Sequence, residues 1–181
     1  MKDQEAVYLT FDDGPTETTQ WVLDYLQEQG VRATFFCVGS NLIKYPELKK
    51  RILEEGHGLG SHTMEHEKAT KTSRGDYSKS VLEAIELSDS KLFRPPYGRL
   101  PLLHKIKLPK EAKVIMWSWL SYDFDNNVPL SKILEKLTSV KPGDILVFHD
   151  NEKVDERIKK LLPEVIASLK SKGFKFNTIS A

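Results

Sequence analysis

Alternation is the feature of this sequence that most restricts how it can fold. Short apolar runs of strand length take turns with longer segments of helical period, which points to an α/β architecture. Ala6-Val7-Tyr8-Leu9-Thr10-Phe11 reads as the first strand, and Asp13-Gly14-Pro15 turns the chain. A helix is predicted over 16–29, with Trp21, Val22, Tyr25 and Leu26 on one face and Gly30 beyond its end. Further strands are predicted over 33–38, around Leu59, at Leu92-Phe93, over 113–119, over 144–148 and over 175–179. Helices are predicted over 46–55, 76–88, 130–137 and 154–170; in the second of these Tyr77, Val81, Ile85 and Leu82 face inward. Arg94-Pro95-Pro96-Tyr97-Gly98 is a loop, because proline forbids helix there. Residues 99–109 show no clear period.

About seven β/α units result, in a chain shorter than the ~250 residues of an ordinary eightfold barrel. The expected fold is a reduced or distorted (β/α) barrel forming a single domain over 1–181. An open doubly wound sheet is the alternative, but no glycine-rich phosphate turn follows the first strand. With 39% hydrophobic residues the chain can bury one sizeable core. Its 27 basic and 26 acidic residues leave a net charge of +1, so a broad electrostatic grip on nucleic acid or an anionic membrane is not indicated. The lone Cys37 excludes an intrachain disulfide and reads as packing rather than nucleophile. Residues 1–10 are too polar for a signal peptide, and no apolar run reaches membrane-spanning length. The expectation is a soluble monomer, cytoplasmic as the sequence stands, or exported to the cell envelope if a leader has been removed.

The polar residues fall in informative places. Asp12 and Asp13 end the first strand, and His62 and His66 follow the third. Arg94 follows the fourth, Asp123 the next, and His149 ends the strand over 144–148. In a parallel barrel every strand C-terminus opens on one face, where active sites collect. Loops are polar in general, which accounts for any one of these residues but poorly for all of them. A catalytic rim is therefore expected.

His62 and His66 stand four residues apart; on a helical turn they would share one face and one ion. Such spacing alone more often marks two surface histidines. With Asp13 it becomes a two-histidine, one-carboxylate set that leaves positions free for water and substrate, as catalytic zinc requires. Cobalt, nickel and manganese suit the same ligands, and so does a non-haem iron(II) oxygenase, which the β/α alternation disfavours by fold analogy. Of the adjacent aspartates, one can bind a metal while the other faces its water. A plain Asx turn would need only one.

Thr10-Phe11-Asp12-Asp13-Gly14-Pro15, His62-Thr63-x-x-His66, Arg94-Pro95-Pro96-Tyr97-Gly98 and Val147-Phe148-His149-Asp150 resemble the successive motifs of the polysaccharide deacetylases, carbohydrate esterase family four. Ala33-Thr34-Phe35-Phe36 with Gly39 and Asn41 is similar to the family's second-strand region. The resemblance runs from Tyr8 to about Ile179. It implies a distorted (β/α) barrel and metal-assisted removal of acetyl groups from N-acetylglucosamine polymers such as chitooligosaccharides or peptidoglycan. Carried over by position, Asp12 is the general base that activates the metal-bound water, and His149 is the general acid. Asp13, His62 and His66 hold one divalent ion, zinc first. Arg94 orients Asp12, Asp123 supports His149, and the Tyr97 backbone N–H faces the oxyanion.

The sequence departs from the family pattern in places. Phe124 follows Asp123 where a tryptophan is common; it can wall the acetyl methyl but has no indole donor. Leu120 replaces an earlier aspartate, Glu67 a proline after His66, and Val147 a leucine. The short stretch from Pro101 to Pro109 suggests a shallow groove. Of Trp117 and Trp119, one is expected in the core and one at the groove edge. Trp21 is expected in the core, His57 at a structural strand entry and His104 on the surface. An O-acetyl esterase acting on xylan and a non-catalytic glycan-binding domain are the competing functions.

Overall fold

The computed structural model describes residues 5–180; of the polar opening stretch 1–10, residues 1–4 lie outside that range, as does Ala181. One curled sheet holds β1 (Ala6–Asp12), β2 (Thr34–Cys37), β3 (Gly58–Ser61), β4 (Leu92–Phe93), β5 (Lys113–Val114), β6 (Trp119–Leu120), β7 (Ile145–His149) and β8 (Lys175–Phe176). The strand order is β5-β4-β3-β2-β1-β7-β6, and β8 pairs with the start of β1. Every pairing is parallel. The helices are α1 (Glu17–Gln29), α2 (Gly39–Lys44), α3 (Pro46–Glu54), α4 (Arg74–Ser88), α5 (Leu102–Lys105), α6 (Leu130–Lys136) and α7 (Asp155–Ser171). This is the distorted, incomplete (β/α) barrel expected from the alternation.

The strand predicted over 113–119 is two short pieces. Its first part pairs with β4 and its second with β7, so the two pieces form opposite ends of the sheet. Ile115 N–H donates to Phe93 C=O and Ser118 N–H to Ile145 C=O. One segment thus reaches both edges, and it must break regular pairing between them to do so. The closing strand is shorter than predicted, and Ile179 N–H instead donates to Thr34 Oγ1. Helix α2 was not predicted, because its polar Gly39-Ser40-Asn41 start hides the period.

Alternation along β1 divides the interior. Val7, Leu9 and Phe11 join a cluster with Val22, Leu23 and Leu26 of α1 and Ile158, Leu161 and Leu162 of α7. Each such side chain stabilises by about 1.5–3 kcal/mol on burial. Phe11 stacks on Phe35 at 5.1 Å and meets Phe148 at 5.9 Å. Thr10 and Asp12 point to the other face, into the barrel, as a strand period of two dictates. There they meet Arg94, whose side chain is fully buried. The inside of the barrel is therefore a polar post, and the apolar core lies between sheet and helices.

Several inward assignments shift by one position. Leu23 joins Val22 and Leu26 in the buried arc of α1, while Trp21 and Tyr25 fall at its edge, half-buried and stacked at 5.4 Å. Leu82 is 40% exposed, because Tyr77, Val81, Ala84 and Ile85 already define the buried stripe of α4. Helix α1 starts at a capping box in which Thr16 and Thr19 exchange hydrogen bonds, and it ends at Gly30 in the left-handed region. No helix among the described residues is long and apolar enough to cross a membrane.

Candidate active site

The carboxyl ends of the strands form one rim, and a cavity of about 510 Å³ opens there. Asp12 ends β1 and stands directly opposite His149, which ends β7, in the parallel register. Asp12 Oδ1 accepts from Arg94 Nη1 at 2.7 Å, and the same nitrogen donates to Thr10 Oγ1 at 2.7 Å. Arg94 Nε donates to Ile115 C=O, and the guanidinium lies 4.0 Å over the Phe36 ring. Burial pulls the Arg94 pKa down, while Asp12 counters that shift. This ion pair is almost wholly removed from water, and it fixes the direction of the Asp12 carboxylate.

After Asp12 the chain reverses through Asp13, which adopts φ 84°. The strained turn is held from several sides. Asn41 Nδ2 donates to Asp13 C=O at 2.9 Å, and Val38 N–H donates to Gly14 C=O. Gly14 N–H donates to Asp150 Oδ1 at 2.9 Å, and Thr19 Oγ1 donates to Asp150 Oδ2 at 2.6 Å. Gly14 must be glycine, since a Cβ there would stand 2.2 Å from Asp150 Oδ2. Burial pushes the Asp150 carboxyl up to about 7, against the pull of its hydrogen bond with Thr19.

Asp13 Oδ1 lies 3.1 Å from His66 Nε2 and 3.5 Å from His62 Nε2. Burial pushes the Asp13 carboxyl up, but contact with His66 and the charges of His62 and His149 outweigh it and hold it well below the usual range. His62 Nδ1 bonds to Arg94 C=O at 2.7 Å, so that nitrogen carries the proton and Nε2 keeps its lone pair toward Asp13. Burial pushes His62 below its ordinary value, which favours the neutral ligand form. The two histidines do not share a helical face, contrary to the expectation from spacing. Thr63 and His66 have φ of 65° and 55°, so the chain folds back on itself and the rings converge at 5.1 Å.

The residues fit a divalent cation. Three donor atoms, one each from Asp13, His62 and His66, lie within 4.8 Å of one another. Asp13 Oδ1 is buried and accepts no hydrogen bond from the protein, an unpaired state that a cation would relieve.

His149 Nδ1 bonds to Asp123 Oδ1 at 2.7 Å, and its backbone N–H donates to Asp123 Oδ2 at 2.7 Å. Burial alone would lower the His149 pKa. The Asp123 carboxylate overrides that and, with Asp12 and Asp13, raises it to about 9. That shift favours the imidazolium form of His149 at neutral pH. The Phe124 ring stands edge-on to it at 5.2 Å and lines the cavity. Tyr97, at φ 62°, sets its ring 4.7 Å from His66. Among the described residues, Asp13, Thr63, His66 and Tyr97 adopt positive φ at this rim, and strain of that kind gathers at functional sites.

The structure thus brings together Asp12, Asp13, His62, His66, Arg94, Asp123 and His149, with Tyr97 and Phe124 at the cavity wall. Trp119 is the core tryptophan and Trp117 the cavity one. His57 is buried at the strand entry, where its Nδ1 accepts from Ala33 N–H. His104 is half-buried rather than free on the surface: its ring packs edge-on against Tyr77 at 5.6 Å and Nε2 meets Thr72 C=O, because α5 folds onto α4. Glu67 curls back along the loop that carries His62 and His66 to accept from Glu65 N–H. Sequence reasoning missed Asn151, whose Nδ2 donates to Asp13 Oδ2 at 2.6 Å. Its signal was its place two residues past His149, beyond a strand that runs beside β1.

The family described as polysaccharide deacetylase matches residues 1–108. The chain is 32% identical to a peptidoglycan-N-acetylglucosamine deacetylase of Bacillus cereus, over 98% of this chain and 88% of the relative. It is 32% identical to the bifunctional xylanase/deacetylase of Pseudobutyrivibrio xylanivorans, over 99% of this chain and 30% of that protein. The crystal structure of the Bc1960 peptidoglycan N-acetylglucosamine deacetylase superposes with a TM-score of 0.88 at 31% identity, covering 99% of this chain and 88% of that one.

Proposed function

The chain belongs to the polysaccharide deacetylase family, and from that premise we propose that it is a metal-dependent hydrolase removing N-acetyl groups from N-acetylglucosamine residues of a peptidoglycan- or chitooligosaccharide-type glycan. One observation carries the proposal. A candidate cation site, a buried Asp12–Arg94 pair and a His149–Asp123 pair face a single cavity.

Asp13, His62 and His66 would hold the ion. When bound, a divalent ion, zinc by preference, supplies Lewis-acid polarisation of the acetamide carbonyl and of water. Asp12 is the base. Arg94 keeps its carboxylate aimed, and the carboxylate takes the proton that water must lose as it attacks the carbonyl carbon. His149 is the acid. Its imidazolium, held by Asp123, delivers a proton to the amide nitrogen so that the C–N bond can break and the sugar amine can leave. The Tyr97 backbone N–H would donate to the oxygen that gains charge; such a donor is typically worth ~10²–10³ in rate. Phe124 would wall the acetyl methyl from one side.

The xylanase/deacetylase relative keeps a second reading in view, an O-acetyl esterase acting on acetylated xylan. A non-catalytic glycan-binding domain is disfavoured, because every position of the proposed machinery is filled. Acetate release from peptidoglycan, N-acetylglucosamine oligomers and acetylated xylan, with and without chelator, tests the proposal. Chelator-sensitive release from the N-acetylated glycans is expected. Release confined to acetylated xylan would move the assignment to the esterase, and no release from any substrate would remove the enzyme.

A further inference from the structure

We propose that Asn151 is a positioning residue that aims the Asp13 carboxylate at the cation site. The inference rests on the reading of Asp13, His62 and His66 as ligands, and it assigns a residue outside that set.

A carboxylate ligand has two oxygens and can rotate about its χ2 bond, so something must decide which oxygen faces the ion. Here the two are treated differently. Asp13 Oδ1 points toward His62 and His66 and has no hydrogen-bond partner, while Oδ2 takes the Asn151 amide at 2.6 Å. The amide cannot be the other way round. Asn151 Oδ1 accepts Lys153 N–H at 2.9 Å, which leaves the nitrogen end for Asp13. Asn151 itself is anchored through its neighbour, since Asp150 is fully buried and tied to Gly14 and Thr19. Three successive residues past the core of β7 therefore serve three tasks: His149 faces Asp123, Asp150 clips the turn after β1, and Asn151 orients the carboxylate on that turn. Partners of this kind fix ligand orientation, and their loss typically costs about 10–100-fold in metal affinity.

The test is the Zn²⁺ dissociation constant of the full chain, measured by chelator competition for wild type, Asn151→Ala, Asn151→Ser and His62→Ala. The unfolding midpoint of each metal-free protein serves as the fold control. Asn151→Ala is expected to bind Zn²⁺ about 10–100-fold more weakly, with a changed visible spectrum of the Co²⁺ form. Asn151→Ser keeps a side-chain acceptor for Lys153 N–H, adds no charge and is too short to reach Asp13, so it tests the same point if Asn151→Ala fails to fold. It too should bind more weakly at pH 8. Wild-type affinity in a folded Asn151 variant, with His62→Ala impaired, would overturn the role of Asn151 and leave the metal site standing. Wild type that binds no Zn²⁺ would overturn both.

Discussion

Replacing Asp123 by asparagine should move the alkaline limit of the reaction. His149 sits at about 9, above an ordinary value of 6.5, even though burial opposes the shift. That gap corresponds to roughly 3 kcal/mol in favour of imidazolium, and the hydrogen bond and charge of Asp123 supply its leading favourable part. Asparagine keeps the shape and removes the charge. His149 should then fall toward its ordinary value of 6.5, since only the charges of Asp12 and Asp13 still counter burial. At pH 8 roughly nine in ten wild-type molecules hold the proton, against roughly three in a hundred for Asp123→Asn, so kcat/KM should drop about 30-fold there. Near pH 6 the loss should be under about twofold from this cause. Acetate release from an N-acetylglucosamine oligomer between about pH 5.5 and 9.5 reads the limb, and NMR titration of His149 in the metal-free protein reads the imidazole itself. An alkaline limb that stays near 9 in the variant, or an unchanged His149 titration, would refute the reasoning.

Other consequences are open to direct measurement. Gly14→Ala should destabilise by about 1–3 kcal/mol in urea unfolding, because its Cβ would collide with the Asp150 carboxyl. Arg94→Met should cost about 3–5 kcal/mol, since it leaves Asp12 buried and unpaired, and it should abolish acetate release. Between about pH 6.5 and 9 the metal-free protein should lose stability as pH rises. The raised pKa of His149 gives stability that is complete below 6.5 and lost as pH passes through about 9, and the raised Asp150 carboxyl acts in the same direction up to about 7. Thermal unfolding midpoints across that range check the sign, and Asp123→Asn should flatten the part between 6.5 and 9.

Much of this was legible in the sequence because strand ends are legible. Asp12 and His149 follow apolar runs that read as strands, and parallel pairing then sets them side by side. The end of the helix over 16–29 was marked by Gly30. What failed was geometry that periodicity does not encode. The convergence of His62 and His66 depends on left-handed residues at 63 and 66, not on a helical face. The break between β5 and β6 answers to the two distant edges that one segment must reach. Asn151 and Asp150 act across the sheet on a turn more than a hundred residues away in the chain, and their place just past His149 does not by itself say which groups they touch.

The central claim is that one divalent ion on Asp13, His62 and His66 is required for hydrolysis. Stepwise return of Zn²⁺ to rigorously stripped protein, with acetate release recorded at each step, tests it most directly. Activity should climb from nothing to a plateau at one equivalent in wild type and stay absent in His62→Ala. Full turnover before any Zn²⁺ is added, or a His62→Ala protein that responds like wild type, would contradict it.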